Sequence, residues 1–75
     1  MRSTNRYNYS KLRGKIKEKF GTEQKFAMEL GISTVSLSKR LNNQLYFDVP
    51  EVHRACDLLQ IQIEEVSSYF FYSKC

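Results

Sequence analysis

The sequence predicts an all-α protein, a compact bundle of about five short helices. Apolar residues recur at intervals of three and four along the chain, and no stretch is read as a strand. Short turn signals interrupt this periodicity every ten residues or so. The third observation is length: 75 residues make one domain, near the lower limit for a single unaided core.

The first helix runs from Asn8 or Ser10, either of which can cap it, to Phe20. Leu12, Ile16 and Phe20 share a face at i, i+4 and i+8, with Tyr9 beside them. Gly14 inside this helix costs about 1 kcal/mol relative to alanine, and close approach of another helix is its plain explanation. Gly21 stops the helix, with Lys17 and Lys19 at the negative end of the dipole. Thr22 caps the second helix, which buries Phe26, Ala27 and Leu30 and ends at Gly31. Ser33 caps the third, Thr34 to about Leu41, and Asn42-Asn43 is a good place to leave it. Leu45, Tyr46 and Phe47 form an apolar connector that folds back under the core.

The fourth helix opens at "DVPEV", where Asp48 and Glu51 have capping-box spacing. Val49, Val52, Cys56 and Leu59 give its core stripe, with His53 on the boundary. A short fifth helix, about Ile63 to Tyr69, buries Ile63, Val66 and Phe70. The organisation is thus a basic arm over residues 1–7, a domain over 8–70 and an apolar tail over 71–75.

Composition narrows the function. No apolar run approaches the roughly 20 residues of a membrane span, and the N-terminus lacks the apolar core of a signal peptide. A cytoplasmic protein is expected. Cys56 and Cys75 make no disulfide framework; reduced thiols are expected over a bridge. One histidine and no CxxC spacing give no metal site, and no cofactor is expected. An enzyme is not expected either: no paired carboxylates, no nucleophile beside a histidine and no phosphate-cradling glycine loop are present, and there is little room for a small-molecule substrate.

Charge is more informative by segment than in total. Residues 1–20 carry seven cations against one acid, residues 21–47 three against two, and residues 48–75 two against five. The natural partner of the first half is a polyanion.

Counted from Glu23, the fifth position is Ala27, the ninth Gly31 and the fifteenth Leu37. A small residue at a steep helix crossing, a glycine for the turn and an apolar anchor make helix-turn-helix spacing. "TEQKFAMELGISTVSLSKRLNN" resembles the helix-turn-helix of the Cro and lambda-repressor superfamily. The wider chain, over about residues 7–72, resembles small Cro-like regulators of phages and prophages of Gram-positive bacteria. The resemblance implies a five-helix DNA-binding fold and a transcriptional regulator, generally a repressor. Such a regulator acts as a homodimer on a palindromic double-stranded operator. Two positions depart from the pattern. Glu23 stands where glutamine is usual, leaving Gln24 or Lys25 to meet phosphate, and Arg40 stands at a usually apolar place, pointing outward while Leu41 packs.

The resemblance places the recognition helix, about residues 33–41, in the major groove. Thr34, Val35 and Ser36 then meet base edges, with Lys39 one turn on as the main reader of guanine. Val35 and Lys39 also fit the plainer roles of core residue and solvated lysine. Phosphate contacts fall to Thr22, Gln24, Ser38, Arg40, Asn42, Asn43 and Gln44, the last three doubling as a helix stop. Arg2 and Arg6 form a basic arm, while Lys11, Lys15 and Lys19 form a solvated face from which Arg13 or Lys17 can approach the DNA backbone. Of Tyr69, Phe70, Phe71 and Tyr72 so small a core can bury about two; the others form an exposed apolar patch, and homodimer contact is expected in this segment. The alternative function is a protein-interaction module of the same fold, binding a partner repressor or toxin through this tail.

Overall fold

The computed structural model describes residues 7–72 and is all-helical over them. The order is α1 (Ser10–Phe20), α2 (Glu23–Leu30), α3 (Thr34–Leu41), α4 (Val49–Leu59), a 3-10 turn (Ile63–Glu65) and α5 (Val66–Phe70). Arg2, Arg6 and Cys75 lie outside the described residues.

Local chemistry explains each boundary. Asn8 Oδ1 accepts from the Ser10 amide at 2.9 Å and so serves the start of α1. Thr22 and Ser33 cap α2 and α3 by accepting from the Lys25 and Ser36 amides at 3.2 and 3.0 Å. Asp48 and Glu51 form the expected reciprocal capping box on α4.

The helix ends share one device. Gly31, at φ +91°, donates to the Met28 carbonyl, and Ile32 donates to the Ala27 carbonyl at 3.0 Å. Asn43, at φ +65°, repeats the pattern on α3, with the Gln44 amide reaching back to the Lys39 carbonyl at 2.8 Å. Gln60, at φ +58°, repeats it on α4, with the Ile61 amide on the Cys56 carbonyl at 2.9 Å. In two of these ends the following isoleucine folds onto the core: Ile61 is buried and Ile32 half-buried.

One core joins all five helices. Phe26 of α2 and Phe70 of α5 are its largest buried side chains, with Leu12, Ile16, Leu37 and Leu59 equally shielded. An aromatic chain extends it: Tyr9 meets Phe47 edge-on at 5.7 Å and Phe47 meets Phe70 at 5.3 Å.

Several expectations fail. Val49 is 69% exposed, because as the first residue of α4 it precedes the stripe, which Ala55 completes instead. Ile63 is 80% exposed, because residues 63–65 form a 3-10 turn whose tighter period rotates it outward. Of the connector only Phe47 packs; Leu45 and Tyr46 face solvent. No helix approaches Gly14, and a Cβ there meets nothing within 4 Å.

Gly14→Ala therefore adds a methyl group to open space within a helix. Stability rises by about 1 kcal/mol, seen as a thermal midpoint higher by about 4–8 °C. Tyr9 gives a second check. Burial first, then Tyr7 and Tyr46, push its phenol from 10.0 up to about 12. Its contribution is intact below pH 10, the unfolded value, and is lost as pH rises toward 12, because the unfolded chain sheds a proton that the folded chain still holds. Urea titrations at pH 9 and 11 should show a smaller loss for Tyr9→Phe than for the parent.

Candidate functional site

The third helix is held by a set of polar fasteners. Arg40, on α3, forms a two-pronged pair with Glu51 of α4, Nε to Oε1 at 2.8 Å and Nη2 to Oε2 at 3.0 Å. Its Nη1 donates to the Ser36 carbonyl at 2.9 Å, and both side chains of the pair are only 15% exposed. The expected outward-pointing Arg40 is thus corrected: it lies against α4, drawn there by a carboxylate that also caps α4 through the Asp48 amide.

Arg13 of α1 holds the C-terminal end of α3 from another side. Its Nη1 donates to Glu23 Oε2 at 2.8 Å, and its Nη2 donates to Asn42 Oδ1 at 3.2 Å and the Leu41 carbonyl at 3.4 Å. One guanidinium thereby joins α1 to the start of α2 and to the end of α3, where cations suit the helix dipole. Glu23 is explained by this contact: it is the acidic partner of Arg13. Asn43 completes the set. Its side-chain amide pairs with the Tyr7 backbone, accepting from the amide at 2.8 Å and donating to the carbonyl at 3.0 Å.

Of the residues singled out as base-facing, Thr34 and Lys39 are exposed, and Val35 is 64% exposed, not in the core. Ser36 is half-buried beside Arg40. Among those assigned to phosphate, Thr22, Gln24, Asn42 and Gln44 are exposed, and Ser38 is half-buried with its hydroxyl accepting from Asn42 Nδ2 at 3.3 Å. Arg40 and Asn43 are engaged within the chain. The α2–α3 segment consequently presents Lys25 and Lys39 as its cations without an ion-pair partner among the described residues.

The α1 lysines are not merely solvated. Lys11 Nζ lies 4.6 Å from the centre of the Tyr69 ring and 3.3 Å from Ser68 Oγ, and Lys19 donates to Gln60 Oε1 at 3.1 Å. This packing corrects the aromatic tail. Tyr69 is buried beneath Lys11, and Phe70 is buried in the core, so neither is free for a dimer contact. Phe71 and Tyr72 are 49% and 57% exposed. Phe71 meets Tyr7 edge-on at 5.9 Å, and Tyr7 stands 6.1 Å from Tyr9. Tyr46 is close enough to Tyr9 to bear on its ionisation. Tyr7, Tyr9, Phe47, Phe70 and Phe71 therefore form one connected aromatic cluster, with Phe71 at its exposed edge and the exposed Tyr46 and Tyr72 adjoining it in the chain.

These features define a class: over the described residues, a small all-helical module with an exposed face on its fastened third helix and exposed aromatics near Tyr7 and Phe71. The chain belongs to the family described as protein of unknown function (DUF739), whose model matches residues 5–73. It is similar to a solved structure, "Solution structure of the modulator of repression (MOR) of the temperate bacteriophage TP901-1 from Lactococcus lactis". Identity is 37%, covering 87% of this chain and 88% of that one, with a TM-score of 0.77. No curated protein matches the chain.

Sequence reasoning missed Arg13 and Glu51 as fasteners. Their partners lie 10 and 11 residues away across a turn, spacings that carry no periodic signal. Arg40→Ala leaves Glu51 half-paired in a poorly solvated place and costs about 2 kcal/mol. Denaturant titrations of Arg40→Ala, Glu51→Ala and the double variant should give strongly non-additive losses.

Proposed function

We propose that this protein modulates phage repression by binding a repressor protein through its exposed aromatics Tyr46, Phe71 and Tyr72. The similarity to a phage modulator of repression over nearly the whole chain carries this reading. The state of the cations supports it. Arg13 and Arg40, the two arginines of the α1–α3 region, already hold carboxylates of this chain. Few charges remain around α3 for a phosphate backbone, whose binding depends on many. Large exposed aromatics, by contrast, are the side chains that anchor protein interfaces. The bacterial cytoplasm, where a phage repressor works, is the location that follows.

A second reading keeps DNA as the partner. The cap at Ser33 and the exposure of Thr34, Val35 and Lys39 favour it, since those side chains have no other described task. In that reading α2 and α3 act as a helix-turn-helix, and the chain is a Cro-like repressor. Thr22, Gln24, Ser38, Asn42 and Gln44 hold phosphate, while Arg40 and Asn43 support α3 from behind. Phe71 and Tyr72 then pair two copies on a palindromic operator, with half-sites about 34 Å apart.

The readings part in one set of measurements. Calorimetry of a phage repressor against the parent, a Phe71→Ser/Tyr72→Ser variant and Lys39→Ala should show a loss of at least about 2 kcal/mol for the aromatic variant alone. Fluorescence anisotropy of a labelled random duplex at 50 and 200 mM salt tests the second reading. Tight, steeply salt-dependent binding that Lys39→Ala weakens by about 1–3 kcal/mol would overturn the first. Light scattering reports whether the aromatic surface pairs two copies instead.

A further inference from the structure

The end of the molecule formed by α4, the 3-10 turn and α5 carries a groove of about 290 Å³ that neither reading uses. Val52, Cys56, Ile61 and Val66 make it apolar, Ile63 stands over it at 80% exposure, and His53 and Asp57 border it from α4. An aliphatic side chain that exposed on a protein this small carries an unfavourable hydration term. The turn that holds it outward is also built, since the Gln62 amide and the Glu65 carboxylate close it at 3.4 Å.

The charge around the groove decides what fits. Residues 48–72 carry five acids and one cation, and Glu51 is taken by Arg40. Asp57 lines the groove and Glu64 follows Ile63 in the chain, exposed; neither forms an ion pair among the described residues. Nucleic acid and anionic lipid are repelled here. A second copy of this chain is a poor occupant as well. Its most basic helix, α1, keeps Leu12 and Ile16 fully buried and so offers no apolar stripe. Its other exposed apolar residues beside lysines, Met28 and Val35, lie on α2 and α3, so a copy that docked them here would make a heterologous rather than a self-complementary contact.

We propose that this groove docks a cationic amphipathic helix of a partner protein, whose aliphatic side chains cover Ile63, Val52 and Val66 while its lysines or arginines face Asp57 and Glu64. The mode is helix-in-groove recognition with an acidic rim. It does not rest on the aromatic surface near Phe71, and the two can fail separately.

The probe is a synthetic helical peptide of about 18 residues, leucine at i, i+3, i+4 and i+7 and lysine elsewhere, beside a scrambled peptide of identical composition. Amide shifts of the full chain should change at residues 52–57 and 61–66, with the scrambled peptide binding at least about tenfold more weakly. Ile63→Asp, a change at an exposed position, and Asp57→Lys should each weaken binding by about tenfold, with thermal midpoints near that of the parent. Equal binding of both peptides, shifts centred on α2 and α3, or indifference to both substitutions would overturn the proposal. So would a concentration-dependent doubling of mass, without peptide, that Ile63→Asp abolishes, because a second copy would then own the groove.

Discussion

A backbone constraint underlies the arrangement of this chain: each of its first four helices ends at a residue with positive φ, namely Gly21, Gly31, Asn43 and Gln60. In that conformation the chain reverses within two or three residues, while amides beyond the helix satisfy carbonyls within it. Four such stops let 66 described residues hold five helices around one core. Without them the connecting loops would lengthen, and a core of thirteen buried side chains would have to order more chain. Asparagine and glutamine fill two of the four positions. Each has a side chain that makes a further contact, Asn43 with Tyr7 and Gln60 with Lys19, which a glycine could not make.

The polar contacts follow from that compactness. Helices this short bury too little apolar surface to fix their own rotation, and charged side chains at their edges do it instead. Arg13 and Arg40 hold α3 from two sides, one at its end and one along its body. The cost is electrostatic: arginines committed to carboxylates of the same chain contribute little to the field that an anionic partner would feel. A protein built to wrap a polyanion would leave such groups free. Here the lysines sit mainly on α1, where Lys11 lies over Tyr69 and Lys15 pairs with Glu18 at 3.8 Å, so they belong as much to the packing of that face as to the surface.

How much of this was legible in the sequence depends on the range of the interaction. The three caps at Thr22, Ser33 and Asp48, the stops at Gly21, Gly31 and Asn43, and the buried stripes of α1 to α3 rest on contacts within one turn of helix, and those spacings are visible in one dimension. The stripe of α4 was misplaced at Val49 because Asp48 fixes the first turn before the buried face begins. Ile63 was misplaced because nothing local distinguishes a 3-10 turn from a helix start. Around α3 the exposure of Thr34 and Lys39 was readable from periodicity. The engagement of Arg40 was not: it depends on Glu51 arriving on a different helix. Burial of Phe70 is legible from the periodicity of the last helix; that Tyr69 is the second aromatic to be covered is not, because the sequence does not announce that a lysine stem from α1 will lie over it.

The contact between Asn8 and Tyr72 bears on how the molecule could be handled. The Asn8 amide donates to the Tyr72 carbonyl at 2.8 Å, so residues 7–72 begin and end side by side. Joining those ends with a short linker would close a ring at a small entropic cost, and new ends could be opened at the exposed Gly21–Thr22 turn. Such a circular permutant would carry the same core with α1 last rather than first. It would leave the aromatic surface crossed by a continuous chain, in which state that surface could be probed free of any terminal segment.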